Sequence, residues 1–471
     1  MELDTETKMF CRCPNTSDEL RPNTNVCPIC LAHPGAMPVA NKQAIESILK
    51  LGMALEGNIP EKAFFDRKSY FYPDLPKGYQ LSQYEHPFVL GGNLCGVELT
   101  RIHLEEDAGK LVHGSDGKTF VDLNRAGVPL VELVTEPCIS SSAKAVEFAK
   151  ALQNVIRYIN ISKADMEKGN MRLEANISVR PKGTEKLVTK VEVKNLNSFK
   201  ALEGAIEYEI KRQSKALDSG ERIIQETRGW NAEKLETYSQ RSKEEAHDYR
   251  YHPEPDIPPF DLTDKEFIDL DALRISLPEL PETKKARFID QYGLSEAQAS
   301  SLIEDKKIAE YFENCISESD EDLLDKADDE KKKVYASIAN YIVMDLRGIM
   351  NAKNLSVIET KITPENIADL AILIANGELS SRMAKDLLAK MEEKGVDPRT
   401  IMDEEGIKQV SDEGPILEAV QAVIEANAKA VADYKAGKEA SFQFLFGQTM
   451  ARMKGQGSPE AIKRVLQEAL R

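Results

Sequence analysis

Four cysteines near the start of the chain have the spacing of a metal site. One residue separates Cys11 from Cys13, and Cys27 and Cys30 form a CxxC pair. A CxxC pair lets two thiolates reach one tetrahedral zinc ion, and four thiolates close its coordination sphere. The spacing therefore predicts a structural zinc knuckle over residues 11–30. A group of reduced structural cysteines or a redox pair is the alternative.

Two glutamates lie in strand-like sequence that is otherwise largely apolar. Glu132 lies within the apolar run 128–134, which predicts a strand buried on both faces, and Glu106 ends another strand-like segment. A buried carboxylate requires a cation or hydrogen-bond donors, and two such carboxylates suit magnesium, which prefers oxygen ligands. The alternative is an ion pair of each glutamate with an arginine such as Arg101 or Arg125.

Aromatic rings, prolines and charged groups are concentrated in residues 65–83. Three adjacent rings at residues 70–72 run into Pro73, and Pro76 fixes a second bend, because proline restricts its own backbone and that of the preceding residue. The segment is either a packed surface loop or one wall of a binding pocket. Its candidate ligand-binding residues are Lys68, Tyr72, Asp74, Gln80 and Ser82.

Two further segments alternate polar and apolar residues with the period of a β-strand. Residues 171–180 and 190–194 each place their polar side chains on one face. The default interpretation is the solvated face of an antiparallel sheet, but amide and hydroxyl groups that could hold phosphate oxygens follow directly. The sequence lacks GxxxxGK[ST] and GxGxxG motifs, so a P-loop or Rossmann site is not predicted. The candidates on these segments are Arg172, Glu174, Asn176, Lys194, Asn195, Asn197 and Ser198.

The composition is that of a globular protein with a strongly acidic surface. The 471 residues carry a formal net charge of −17 and are 41% hydrophobic. No apolar run is long enough to cross a bilayer, and the acidic N-terminal segment lacks the apolar core of a signal peptide, so a cytoplasmic location is expected. Contact with nucleic acid would need a local basic patch, which the C-terminal segment offers, although a solvated helix face is the alternative. The basic candidates there are Arg452, Lys454, Lys463 and Arg464.

The elements that must position these residues predict an α+β fold. Short β-branched runs alternate with glycine and proline breaks up to about residue 260, and amphipathic helical stripes follow. Proline-rich segments at 252–259 and 277–281 mark a boundary. The expected domains are a mixed and antiparallel-sheet domain at 1–275, a helical domain at 276–400 and a helical tail at 401–471.

Several longer strings of residues occur together in one known family. They include residues 65–83, 101–107, 172–181, 193–199 and 248–256, and such strings extend over nearly the whole chain. Together they resemble the B subunit of the bacterial and organellar aspartyl/glutamyl-tRNA amidotransferase, the GatB family. The resemblance implies a cradle-like catalytic domain, an all-helical C-terminal region and an ATP-dependent carbon–nitrogen ligase with glutamine as amido donor.

The resemblance also implies a reaction and its participants. ATP would phosphorylate the side-chain carboxylate of Glu on tRNA(Gln) or of Asp on tRNA(Asn), and ammonia would then displace the phosphate. A separate amidase (GatA) would supply the ammonia, a small third protein (GatC) would complete a heterotrimer, and the helical tail would contact tRNA. By position, Glu106 and Glu132 match acids that bind magnesium in this family. The implied contacts to phosphate or carboxylate are Lys68, Arg101, Arg172 and Lys194.

The chain departs from the family at its start. The family opens with a strand that ends in Gly-Leu-Glu-x-His, whose Glu and His also lie at the metal, and this sequence begins with Met1 just after that point. Either the start codon is misassigned or the truncation is real, and weak or absent activity is expected only of a real truncation. One alternative is the archaeal E subunit, whose inserted domain this chain has no room for. Another is a catalytically incomplete, zinc-containing protein that docks RNA or a partner.

Overall fold

The chain forms two compact units, Met1–Leu280 and Pro281–Arg471. The computed structural model describes residues 1–16, 21–184, 186–242, 249–407, 413–453 and 456–470. The first unit mixes sheets and helices, and the elements described in the second unit are helices, which confirms the predicted α+β class. The expected division into three domains stays a prediction.

The first unit is rich in short strands joined by helices. Each of the first three helices is preceded by an N-cap residue whose side chain accepts a hydrogen bond from the backbone N–H three residues later. The helices are α1 Lys42–Ala54, α2 Ser142–Tyr158, α3 Phe199–Asp218 and α4 Leu270–Ile275. The strands are β1 Lys62–Ala63, β2 Asp66–Ser69, β3 Tyr79–Ser82, β4 Val89–Leu90, β5 Asn93–Leu94, β6 Val97–Glu106, β7 Lys110–His113, β8 Thr119–Asp122, β9 Pro129–Thr135, β10 Leu173–Ile177, β11 Val191–Leu196, β12 Glu226–Asn231, β13 Glu236–Ser242, β14 His252–Pro253 and β15 Phe260–Asp261.

The ten-residue strand β6 connects several elements of this unit. It pairs antiparallel with β4, β5 and β9, and its register with β9 places His103 opposite Glu132. Strands β2 and β3 form a neighbouring antiparallel pair that β14 extends, with Lys68 opposite Gln80. Apolar side chains from α1, α2 and these strands, Leu104 among them, share one hydrophobic core that fixes their positions.

The apolar run around Glu132 forms β9, but this strand is not buried on both faces. The Glu132 side chain is 49% exposed, and Leu133 and Val134 are half-buried. Among the described residues, β9 pairs with β6, and Leu130 of β9 also forms an isolated bridge with Glu2. An apolar run cannot report whether a second layer covers a strand, and here the face that carries Glu132 stays open. The expectation of two-sided burial is therefore wrong.

A second sheet, ordered β10–β11–β12–β13, has one apolar face and one polar face. Ala175, Ile177 and Val193 are buried in a small core that includes residues of α2 and α3. Glu174 and Asn176 are exposed on the opposite face. This arrangement confirms the alternation predicted for these strands.

Strand β11 carries one extra residue near its end. Leu173 and Ala175 of β10 pair with Leu196 and Val193 of β11, so that three steps along β11 oppose two steps along β10. A bulge at Asn195, whose φ is +60°, accommodates the extra residue. The bulge lets Leu196 face the core while the residue before Asn195 stays on the polar face.

The second unit contains two hydrophobic cores among its described residues, one across residues 288–401 and one across residues 416–470. Thr363 caps α10 through its side chain and Pro364 takes the first helical position, which are residue types typical of a helix start. Apolar residues recur at helical spacing over residues 416–431, and they belong to two helices that are separated at Asn427. The helices are α5 Pro281–Tyr292, α6 Glu296–Ile303, α7 Lys306–Asp320, α8 Asp328–Asn340, a π-helical turn at Tyr341–Leu346, α9 Arg347–Lys353, a 3-10 turn at Val357–Glu359, α10 Pro364–Ala375, α11 Ser381–Lys394, α12 Pro398–Glu405, α13 Glu413–Ala426, α14 Ala428–Lys435, α15 Glu439–Arg452 and α16 Pro459–Leu470. Within the described ranges, none of the helices is both long and apolar enough to cross a membrane.

Candidate functional site

An imidazole and two carboxylates meet on one face of strands β6 and β9, where His103 and Glu105 are buried and Glu132 is half exposed. Side chains two residues apart on a strand share a face, and so do directly paired residues on neighbouring strands. His103 Nε2 accordingly lies 3.5 Å from Glu105 Oε1 and 3.8 Å from Glu132 Oε2. One ligand atom from each of the three residues lies within 4.8 Å of the others. This donor set can hold a divalent cation.

Glu105 is the most heavily contacted acid of the group. The Ser82 hydroxyl donates to Glu105 Oε1 at 2.7 Å, the Gln80 amide donates to Oε2 at 3.2 Å, and Lys68 Nζ lies 3.8 Å from Oε1. Burial alone raises the pKa of the Glu105 carboxyl, but the hydrogen bond with His103 and the charge of Lys68 outweigh burial and lower it to about 2. Burial lowers the pKa of Lys68, but the charge of Glu105, together with smaller contributions that include Glu132, raises it on balance. Glu105 and Lys68 therefore stay charged together.

Glu106 points to the opposite face of β6 from Glu105. Its carboxylate pairs with the ammonium of Lys77 and accepts a hydrogen bond from the backbone N–H of Leu81 at 3.0 Å. The structure thus does not bring Glu106 together with Glu132, and it puts Glu105 there instead, because alternate residues of a strand face opposite ways. The signal that could have found this arrangement is the pair His103 and Glu105 at spacing two.

The two arginines that were alternative partners for the glutamates lie elsewhere. Arg125 Nε lies 3.2 Å from Asp107 Oδ2. The guanidinium of Arg101 lies over the Tyr84 ring, 5.4 Å from its centroid. Neither arginine forms an ion pair with Glu106 or Glu132 among the described residues.

The polar face of the second sheet carries a cluster of charged side chains from β10 and β11, in which one lysine pairs with two glutamates. Lys194 Nζ lies 3.3 Å from Glu174 Oε2 and 3.6 Å from Glu192 Oε1. Burial raises the pKa of Glu174, the charge of Lys194 opposes the shift, and the charge of Glu132 adds to it. Burial lowers the pKa of Lys194, but the nearby glutamates raise it on balance. The charge of Glu132 on β9 thus contributes to the raised pKa of Glu174 on β10.

An aromatic cluster that the sequence did not predict borders these charged groups. Tyr84 and Tyr251 are stacked with centroids 4.7 Å apart, and Tyr249 lies 6.2 Å from Tyr251. Lys68 Nζ lies 5.2 Å from the Tyr249 centroid. Tyr84 is 51% exposed and Tyr251 is 36% exposed, so their rings are open to a ligand. The signal available in the sequence is the Tyr-x-Tyr string next to β14, but its pairing partner is remote in the chain.

Several predicted ligand-binding residues have other surroundings. The Ser198 side chain accepts a hydrogen bond from Ala201 N at 3.0 Å and caps α3. Asn195 forms the bulge of β11. Asp74 is half-buried, and this burial raises the pKa of its carboxyl. The remaining predicted residues of this kind are exposed, and they are Tyr72, Arg172, Asn176 and Asn197.

The four predicted cysteine ligands converge as the sequence indicates. Cys30 Sγ lies 3.3 Å from Cys11 Sγ and 3.6 Å from both Cys13 Sγ and Cys27 Sγ. Tetrahedral bonds of about 2.3 Å to zinc would separate neighbouring sulfurs by about 3.8 Å. The four thiols therefore form a possible metal site of tetrahedral size.

The basic residues predicted to bind tRNA are exposed on two helices. Arg452 ends α15, and Lys463 and Arg464 lie on α16. Arg464 also pairs with Glu413 at the start of α13. Lys454 lies outside the described residues.

Known proteins resemble this chain over its whole length. A family model described as the GatB/GatE catalytic domain matches residues 1–268, and one described as a GatB domain matches residues 311–470. A relative in Persephonella marina, named as the B subunit of an aspartyl/glutamyl-tRNA(Asn/Gln) amidotransferase, is 43% identical over 100% of this chain and 98% of its own length. Relatives of the same name are 43% identical in Thermotoga maritima and 41% identical in Brevibacillus brevis, each over 100% of this chain and 97% and 96% of the relative. The chain therefore belongs to the GatB family.

Proposed function

We propose that this chain is the subunit of a tRNA amidotransferase that activates and amidates the side-chain carboxylate of misacylated Glu-tRNA(Gln) or Asp-tRNA(Asn). The names of its relatives supply the reaction class. The observation that carries the proposal is the convergence of Lys68, His103, Glu105 and Glu132 on one face of the sheet. The charge of Glu132 also acts on Glu174, which is the partner of Lys194 on the second sheet. Phosphoryl transfer needs positioned cations more than it needs a nucleophile from the protein.

Magnesium fits the group of His103, Glu105 and Glu132. The two carboxylates supply the oxygen ligands that this ion prefers, and the low pKa of Glu105 keeps one of them ionised. A bound magnesium ion would neutralise charge that develops on the transferring phosphoryl group.

The residues of the chain divide the remaining work. Lys68 and Lys194 would contact phosphate or carboxylate oxygens of the substrates, since both ammonium groups stay charged beside their glutamates. The exposed faces of Tyr84 and Tyr251 would stack against the adenine ring of ATP. Arg101 would stabilise the position of the Tyr84 ring through its cation–π contact.

Zinc fits the cysteine site, because sulfur separations of 3.3–3.6 Å are close to those of a tetrahedral tetrathiolate. A metal with four protein ligands has no open position for a substrate. Its role would therefore be structural.

The proposal includes partners. Ammonia would come from an amidase (GatA), and a small third protein (GatC) would complete the heterotrimer. Arg452, Lys463 and Arg464 would contact the phosphates of tRNA, since they are exposed cations in an acidic chain. A cytoplasmic location belongs to the same proposal.

A reconstituted amidotransferase tests the proposed reaction. We expect the full chain, combined with an amidase partner, to hydrolyse ATP and form Gln-tRNA(Gln) or Asn-tRNA(Asn) only with misacylated tRNA and magnesium present. Replacing Glu132 with Gln should lower kcat by about 10²–10³-fold, as loss of one transition-state contact does elsewhere. The matched control is Glu98→Gln, which changes an exposed acid on the same strand system. Absence of turnover on both misacylated tRNAs would contradict the proposal and favour a docking protein.

A further inference from the structure

The side chain of Lys8 is buried without a carboxylate partner. It is 0% exposed, and its Nζ donates to Asn25 O at 2.8 Å and to Leu123 O at 3.4 Å. Within the described part of the chain no carboxylate pairs with it, and its remaining close polar neighbour is Cys30 Sγ at 3.8 Å. Burying an ammonium group is costly unless a negative charge compensates it.

The cysteine site is the available source of that negative charge. Four thiolates around one zinc ion leave an excess of negative charge on the centre, which the ion does not neutralise. We infer that Lys8 is the counter-charge of this metal centre: it stabilises the metal-bound thiolate of Cys30 and fastens the centre to the segment 121–128. The inference rests on the proposed zinc.

The segment 121–128 connects the knuckle to the candidate site. Asn25 N donates to Asn124 Oδ1 at 2.8 Å, next to the carbonyl that Lys8 contacts. At the other end of the segment, Met9 N donates to Gly127 O at 2.7 Å, and Gly127 N donates to Asp107 O at 2.9 Å. Asp107 directly follows the strand that carries His103 and Glu105. Lys8 thus ties the metal centre to the support of that strand.

Arg12 provides a matched comparison on the same loop. It lies between two of the cysteines but is exposed. Water screens an exposed charge, whereas a buried charge acts at nearly full strength. Of these two cations, only Lys8 should therefore have a large effect on the affinity for the metal.

Metal affinity measures this role without any reference to catalysis. We would titrate the zinc of the full-length protein with a competing chelator, comparing the wild type with Lys8→Gln, Lys8→Met and Arg12→Gln. The expected result is a 10–100-fold weaker zinc affinity for both Lys8 variants, the range seen when groups behind metal ligands are removed. Arg12→Gln should stay within about threefold of the wild type, because the exposed charge is screened. Lys8→Gln keeps a donor for Asn25 O and Leu123 O, so it serves if Lys8→Met does not fold.

The outcomes separate the inference from the proposed zinc. Equal zinc affinity of the wild type and a folded Lys8→Gln protein would overturn the inference and leave the zinc in place. A wild-type protein that retains no zinc would overturn both. Hydrogen exchange of residues 121–128 supplies a second reading. It should quicken in the zinc-loaded Lys8→Gln protein and not in Arg12→Gln, and unchanged exchange would count against the fastening role.

Discussion

Glu105 holds the charges of the candidate site together. Its carboxylate accepts hydrogen bonds from Ser82 and Gln80 and faces both His103 and Lys68. A buried carboxylate with this many partners stays ionised at a lower pH than a solvated carboxylate does. The residue is therefore as much a structural anchor as a candidate metal ligand.

We predict a pH-dependent effect of Glu105→Gln on stability. The pKa of this carboxyl falls from 4.5 to about 2 on folding, so its contribution is fully present above pH 4.5 and is lost as the pH falls toward 2. At pH 7 the variant should lose about 3 kcal/mol, because the half-buried charge of Lys68 is left without its partner. Urea unfolding at several pH values measures the difference, which should narrow between pH 4.5 and 2. A difference that is constant over that range, or one matched by Glu98→Gln, would contradict the assignment.

We also predict that Tyr84 binds the adenine ring. Tyr84→Ala should raise the KM for ATP about tenfold, since stacking of a base on an aromatic side chain contributes about 1–3 kcal/mol. Tyr84→Phe keeps the ring and should stay near the wild-type KM. Steady-state kinetics with ATP and with misacylated tRNA varied separately make the test. A rise confined to the KM for tRNA would assign the ring to the terminal adenosine of the tRNA instead.

At the scale of elements, local periodicity was predictable and long-range pairing was not. The alternation of β10 and β11 follows from the two-residue period of a strand, and Thr363 and Pro364 carry the chemistry of a helix start. The partner of Glu132 depends on the register between β6 and β9, which are separated by β7 and β8. No local pattern encodes that register. The sequence therefore could not show which acid of β6 lies beside Glu132.

Two helical glycines should respond oppositely to alanine. A Cβ at Gly204 in α3 would lie 2.8 Å from Cζ2 of Trp230, whereas a Cβ at Gly348 in α9 would meet nothing within 4 Å. We expect Gly348→Ala to stabilise its unit by about 0.5–1 kcal/mol through helix propensity. Gly204→Ala should destabilise its unit, because the indole on the neighbouring strand must move. Thermal unfolding followed by circular dichroism gives both values, and a stabilised Gly204→Ala would show that the helix is not seated tightly on the sheet.

At the scale of the whole molecule, charge and length predicted less than the ordered motifs did. A net charge of −17 favours a small-molecule enzyme over an RNA-binding one. The motifs along the chain pointed to the GatB family, which the matches over residues 1–268 and 311–470 confirm. Composition averages over the surface, and a few exposed cations on two helices do not change that average.

The proposed tRNA contact should depend on those few cations. Replacing Arg452 and Lys463 together with Gln should weaken tRNA binding and reduce the slope of log affinity against log salt by about 0.7–0.9 for each phosphate interaction that is removed. The matched control replaces Lys326 and Lys333, two exposed lysines in the same unit, and should change neither quantity. Filter binding over a range of salt concentrations measures both. Equal effects of the two double variants would show that tRNA binding responds to the net charge of the protein and not to these two residues.

Because of the bulge at Asn195, strand β11 should tolerate the deletion of one residue. Deleting one residue from a strand normally reverses the faces of everything beyond it. Here the deletion of Asn195 would leave Leu173 opposite Leu196 and Ala175 opposite Val193 in a regular ladder. We expect the shortened protein to fold with slowed hydrogen exchange in β11, and a loss of fold would contradict this. The position is thus one where relatives could differ in length by a single codon without exchanging the inside of the sheet for its outside.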